Sequence, residues 1–137
     1  MAVGDSLESC MFYSDMDTKS EKVIILGASA KPSRYAYMAA TLLKDKGHFP
    51  ILIGRSEGQV AGENILKEFP EIEVDTVTLY LKEEFQGQFI ESIIKAKPKR
   101  VIFNPGTESN QTWRKLTAKN IKCIEACTLV MLRTGQY

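Results

Sequence analysis

Lys31, Arg34 and Arg55 are the residues of this chain best placed to hold an anion, because of the sequence that precedes them. The apolar run Val23-Ile24-Ile25-Leu26 stops at Gly27-Ala28-Ser29. Lys31, Pro32, Ser33 and Arg34 follow before a helical pattern sets in at Tyr35. A β-branched run, a small-residue turn and a helix form the layout of a nucleotide-phosphate site. Small side chains let the backbone approach the phosphates, and N–H groups at the helix start face the anion. Ser29 adds a hydroxyl donor, and Lys31 and Arg34 neutralise charge. The turn departs from the dinucleotide fingerprint, whose spacing needs glycines where Ser29 and Pro32 stand. A plain strand end, with Ser29 capping a helix that Pro32 opens, accounts for the same residues.

The segment Leu52-Ile53-Gly54-Arg55-Ser56 separates the candidate ligands. Sites for an unmodified adenosine ribose place Asp or Glu about 20 residues beyond the glycine turn, where it bonds the ribose hydroxyls. No carboxylate stands there in this chain, and Arg55 does. Its fork of donors suits a phosphate on the ribose. That points away from NAD and toward NADP or coenzyme A, which carries a 3′-phosphate; a solvated surface arginine is the alternative. Binding a whole dinucleotide commonly takes two mononucleotide halves, and a dehydrogenase needs a substrate domain as well. A single domain of 137 residues is expected to hold neither, which puts coenzyme A ahead of NADP.

Other reactive side chains form no recognisable catalytic set. His48, the one histidine, follows Gly47 in the turn into the second strand and reads as a surface turn residue at the rim opposite the ligand. Glu108 and Glu125 are expected on neighbouring strand-end loops, close enough for acid–base work. Equally, Glu108 can serve the helix start at Ser109 while Glu125 bonds loop amides. Asn104 and Thr107 either meet the ligand's amides or hold their own loop. Cys123 and Cys127 lack the second ligand pair of a zinc site. Cys123 reads as core. Cys127 opens a helix, where the dipole favours thiolate, so it is either a packed thiol or a partner for a ligand thiol in a mixed disulfide. Trp113 and Tyr35 are either ring platforms or residues of apolar helix faces.

These residues need a scaffold, and the chain alternates strand and helix patterns from residue 22 onward. Strands are expected over 22–26, 50–53, 75–81, 100–103 and 121–124. The first has no polar alternation, as a strand covered on both faces should not. Helices are expected over 33–46, 63–69, 83–97, 109–119 and 127–133, with a loop over 54–62. Tyr35, Ala39, Leu42 and Leu43 mark the inner face of the first helix, and Phe85, Phe89, Ile93 and Ala96 that of the third. This alternation predicts a three-layer, Rossmann-like α/β fold with a five-stranded parallel sheet, in which ligands sit beyond the carboxyl ends of the strands.

Hydrophobic residues make up 44% of the chain and charged ones 26%, the balance of a globular domain. No apolar stretch reaches the length of a membrane span, and the first residues lack a secretory pattern, so no membrane association and a cytoplasmic location are expected. Three cysteines provide no disulfide framework. Net charge is +1, unevenly spread: residues 1–21 carry Asp5, Glu8, Asp15, Asp17 and Glu21 against Lys19 alone, so the rest is basic. That mild excess suits a small anionic ligand and is too weak for nucleic acid. Residues 1–21 read as a tail or docking helix, and 22–137 as the domain.

The chain resembles the stand-alone CoA-binding proteins, small Rossmann-type domains similar to the CoA-binding domain of succinyl-CoA synthetase α subunits. The resemblance rests on the run from Lys22 to Ser29 with Lys31, Pro32, Ser33 and Arg34 behind it, and on Val74-Asp75-Thr76-Val77. It also rests on Asn104-Pro105-Gly106-Thr107-Glu108 and on Glu125-Ala126-Cys127-Thr128. It implies coenzyme A or an acyl-CoA across the top of the sheet, the diphosphate over Gly27, Ala28 and Ser29, and the adenosine end near the second strand end. The family often has Asn-Pro after the second strand, where this chain has Gly54-Arg55. The expectation is therefore a binding module without chemistry of its own. Its ligand-facing residues are Gly27, Ala28, Ser29, Lys31, Arg34, Arg55, Asn104, Pro105, Gly106, Thr107 and Cys127. A small NADP-dependent reductase, or a lyase acting on a phosphorylated metabolite, is the alternative. Whether a second copy or another protein binds is left open.

Overall fold

The structure is a computed structural model that describes residues 20–137. Among the described residues, seven strands join one sheet. They are β1 (Lys22–Leu26), β2 (Phe49–Ile53), β3 (Gln59–Val60), β4 (Glu63–Leu66), β5 (Thr76–Leu79), β6 (Arg100–Phe103) and β7 (Lys122–Glu125). The α-helices are α1 (Tyr35–Asp45), α2 (Ile90–Ala96), α3 (Asn110–Thr117) and α4 (Thr128–Arg133). The sheet order is β3-β4-β2-β1-β5-β6-β7, parallel throughout except for the β3–β4 hairpin. The order reverses at β1, which has β2 on one side and β5 on the other. The carboxyl ends of those strands therefore flank the crevice where such sheets bind ligands. None of the described helices is long and apolar enough to cross a membrane.

The unbroken apolar character of β1 follows from helices on both faces. Ile24 and Leu26 join Val77, Leu79, Val101 and Phe103 against Ile90, Ile93 and Ala96 of α2 and Leu116 of α3. Val23 and Ile25 join Leu52 against Ala36, Ala40 and Leu43 of α1 and Leu132 of α4. Side chains of one strand thus feed two cores by simple alternation. The expected α/β class and three layers hold, with seven strands in place of five.

The two added strands come from residues 54–69, read above as a loop and a helix. Ala61 (φ 54) and Gly62 (φ 84) close a two-residue hairpin of the kind that needs positive φ at both positions. Glu63–Leu66 then lies along β2, pairing Ile65 with Leu52 and Leu66 with Ile53. Buried Ile65 alternates with exposed Asn64 and Leu66, which is a strand pattern. The expected third helix is also broken. Glu83–Phe85 and Gly87–Phe89 are 3₁₀ turns, and α2 starts only at Ile90. Gly87 is a poor helix residue, and the side-chain amide of Gln86 is drawn sideways to the carbonyls of Leu81 and Thr107. Tyr35, expected inside, is 68% exposed at the start of α1.

His48 lies at the amino-terminal end of β2, the rim opposite the crevice, but it is buried rather than on the surface. Its Nδ1 accepts the Glu21 amide at 3.1 Å, and its ring packs on Tyr137 with centroids 5.1 Å apart. Arg100 lies over the other side of that neighbourhood, 4.3 Å from the Tyr137 ring centroid. Glu21 is thus held against the folded domain; of the expected tail, residues 1–19 lie outside the described residues.

Two expectations follow. Ala61→Asn should stabilise the protein by about 0.5–1 kcal/mol in denaturant unfolding, since alanine is strained in the left-handed region. An unchanged or lower midpoint would contradict the hairpin. Burial holds the His48 pKa below its ordinary 6.5, with Arg100 adding and Glu21 opposing. The unfolded chain then takes up this proton first, so the stabilisation is complete above 6.5 and is lost as pH falls through the lowered folded value. His48→Asn should flatten the fall in melting temperature between pH 7 and 5.5. An equally steep fall in that variant would refute the assignment.

Candidate functional site

Backbone carries the centre of the crevice. At the end of β1 the amides of Gly27 and Ala28 both donate to the Ile53 carbonyl, at 2.8 and 2.9 Å. On the other side the Tyr80 amide donates to the Leu26 carbonyl at 2.8 Å. Gly27 has φ +101, and a Cβ there would lie 2.9 Å from the Tyr80 carbonyl carbon. A Cβ on Gly54 would lie 2.4 Å from the Ala28 carbonyl oxygen. The loops that follow β2, β1 and β5 are therefore seated on one another at backbone distance, and only glycine fits at the two contacts.

This seating decides which amides of the turn are already paired. The amides of Gly27 and Ala28 are occupied by Ile53, while those of Ser29 and Ala30 take no backbone partner among the described residues. The Ser29 Oγ accepts the Lys31 amide at 3.1 Å, which leaves its own proton to donate. Beyond it Lys31 and Arg34 are exposed. The first turn of α1 has no acidic residue, and no side chain at Arg34 caps its amides.

Arg55 is exposed on the loop after β2, and its guanidinium sits 5.7 Å from the ring centroid of Phe85 on the loop after β5. The same β2 loop borders an open groove of about 550 Å³ lined by Glu57, Gly58, Gln59, Asn64, Ile65, Leu66 and Lys67. A second groove, about 260 Å³, lies between α1 and α4 and is bordered by Pro32 of the loop after β1.

The loop after β6 is tied down from within. Asn104 is buried, and its Nδ2 donates to the Thr78 Oγ1 (2.6 Å) and the Leu79 carbonyl (2.8 Å), while its Oδ1 accepts the Thr128 amide (2.8 Å). The side chain thereby joins β5, β6 and the start of α4, and both of its protons are spent. Thr107 donates its amide and its hydroxyl to the Asn104 carbonyl. Glu108 folds back on the Gly106 amide, at 3.1 and 3.2 Å, and it is Glu83 that accepts from the Ser109 hydroxyl. Pro105 and Gly106 are exposed at the tip, and Glu125 is exposed at the end of β7.

Cys127 is half-buried just before α4, while Cys123 is buried. Burial pushes the Cys123 thiol up to about 11, which removes it as a nucleophile. Tyr80 lies near Cys127 and Thr128; its buried hydroxyl has no partner among the described residues, and burial pushes it up to about 12. Trp113 is half-buried against Phe103, with centroids 5.3 Å apart. Among the described residues no group of three His, Cys, Asp or Glu can hold a metal.

Sequence reasoning missed Phe85 and Gln86. Phe85 was assigned to the inner face of a helix and is 41% exposed beside Arg55. Gln86 is buried and bonds two carbonyls, of Leu81 and Thr107, at 2.9 and 2.7 Å. Gly87 was the available signal, because a glycine there ends the helical phase that places Phe85 inward. Gly54→Ala tests the seating of the loops. It should lower stability by about 1–3 kcal/mol in urea unfolding, the usual cost of overpacking, and wild-type stability would contradict the contact.

A profile of the CoA binding domain matches residues 21–133. The crystal structure of an uncharacterised protein is 46% identical, has a TM-score of 0.84, and covers 88% of this chain and 100% of its own. A hypothetical protein from Pyrococcus horikoshii is 19% identical with a TM-score of 0.76, covering 96% of this chain and 94% of its own. A Thermus thermophilus protein, cell-free ID.343, is 14% identical with a TM-score of 0.75, covering 96% and 98%. These two share the fold. No curated protein matches the chain. On the profile match across nearly all the described residues, this chain belongs to the CoA binding domain family.

Proposed function

We propose that the chain binds coenzyme A or an acyl-CoA along the carboxyl ends of its strands and acts as a binding module rather than an enzyme. The observation that carries this reading is the seating of the β2, β1 and β5 loops on one another through Gly27 and Gly54, with Lys31, Arg34 and Arg55 exposed around the seat. In this reading the diphosphate meets the Ser29 hydroxyl, the Ser29 and Ala30 amides and the first turn of α1. Gly27 and Ala28 shape the turn and spend their amides on the Ile53 carbonyl rather than on the ligand. Arg55 answers the phosphate on the ribose.

The row of strand ends supports a long ligand. From β2, which leads to Arg55, to β7, which leads to Cys127, the order crosses four strand spacings. That is roughly 19 Å at 4.8 Å per spacing, so the thiol end of the ligand lies toward Cys127, past Pro105 and Gly106. Asn104, Thr107 and Glu108 are engaged within their own loops, which favours a role without catalysis, and Glu125, exposed at the end of β7, is the acid–base candidate left to the alternative of a small reductase or lyase.

Melting temperature in the presence of coenzyme A, dephospho-CoA, NADP, NAD and ATP tests the reading. Coenzyme A at one hundred times its dissociation constant should stabilise by roughly 2.7 kcal/mol. Dephospho-CoA should bind more weakly, and Arg55→Ala should erase that difference. Equal stabilisation by NADP, or none by coenzyme A, would overturn it.

A further inference from the structure

The contact between Arg55 and Phe85 has a consequence for ligand discrimination, and it rests on the proposal that Arg55 reads the ribose phosphate. We infer that Phe85 is a positioning residue: its ring holds the Arg55 guanidinium by one face, so that the edge donors are presented to a phosphomonoester beside the β2 strand end.

The ring is built as a fixed platform. The Phe85 amide donates to the Lys82 carbonyl at 2.9 Å within the 3₁₀ turn. The next residue, Gln86, is 1% exposed and bonds the Leu81 and Thr107 carbonyls. Two residues before Phe85, Glu83 accepts the Ser109 hydroxyl at 2.9 Å. The turn is therefore fastened to the β6 loop on both sides of Phe85, while Phe85 itself remains 41% exposed, with the Arg55 guanidinium 5.7 Å from its ring centroid. Arg55 follows Gly54, whose backbone is pressed onto the Ala28 carbonyl, so its anchor is equally defined.

The arginine itself is long and would sample many rotamers if it stood free. A guanidinium over an aromatic face is held through its π surface, while its N–H groups radiate in the plane and are not consumed. Among the described residues no carboxylate lies within ion-pair distance of Arg55. Glu57, two residues on, pairs with Lys67 at 3.9 Å, and Glu83 is engaged by Ser109. Among the described residues the positive charge is thus oriented without being neutralised, which is what recognition of a dianionic phosphate needs.

The test measures dissociation constants for coenzyme A and dephospho-CoA by calorimetry on wild type and on Phe85→Ala, Phe85→Leu, Phe85→Tyr and Arg55→Ala, and on the double variant Arg55→Ala/Phe85→Ala. Phe85→Ala and Phe85→Leu should weaken coenzyme A roughly two- to fivefold, the range of an exposed cation–π contact, and leave dephospho-CoA unchanged. Phe85→Tyr, which keeps the ring, should behave as wild type, and Phe85→Ala should add nothing in the Arg55→Ala background. Equal weakening of both ligands, or of neither, would overturn the role of Phe85 alone, provided that wild type discriminates between them. A wild type that binds the two equally, or binds neither, would overturn the reading of Arg55 and this inference with it.

Discussion

At the sheet's reversal point three chain segments must come within backbone contact, and side chains at Gly27 or Gly54 would hold them apart. The Ile53 carbonyl accepts two amides from the β1 turn, and the Leu26 carbonyl accepts one from the β5 loop. The hydrogen bonds of the parallel ladder are in this way continued past the strand ends into the loops. Everything else about the crevice is arranged around that join. The turn's first two amides are spent on the Ile53 carbonyl, and those of Ser29 and Ala30 have no backbone partner among the described residues. The β2 loop, pressed onto the turn, places Arg55 beside the β5 loop and Phe85.

On the other side of β1 the same logic is carried by side chains. Asn104 spends both protons and its carbonyl oxygen on β5 and α4, and the buried hydroxyls of Thr78 and Thr128 meet at 2.7 Å. A buried polar group of this kind costs stability unless it is satisfied, and here the partners are supplied by elements that must be joined. The loops after β5, β6 and β7 therefore form one hydrogen-bonded rim. Such a rim presents a preformed surface to a ligand, which lowers the ordering cost of binding.

The parts legible in the sequence were those set by local periodicity. The run from Val23 to Leu26 announced a strand covered on both faces, and local patterns placed the ends of α1 and α3 within two residues. The Rossmann-like class and membership of the CoA binding domain family followed from that order together with its motifs. What misled were segments whose structure is decided from a distance. Residues 63–66 carry an apolar spacing that suits a short helix, but the free edge of β2 and the turn at Ala61 and Gly62 draw them into the sheet. Phe85 keeps helical phase with Phe89 and Ile93 only until Gln86 is pulled aside. His48 stands in a turn, the usual place for an exposed residue, yet Tyr137 closes over it from 89 positions later in the chain, and no local pattern announces that.

The crevice makes a spatial claim as well as an energetic one: a long anionic ligand lies across the strand ends with its phosphorylated ribose at β2. A crystal structure of the protein grown with coenzyme A tests this most directly. Diphosphate density is expected against Ser29, Ala30 and the first turn of α1, with the ribose phosphate at the edge of the Arg55 guanidinium. Density elsewhere, in the groove between α1 and α4 for instance, would contradict it.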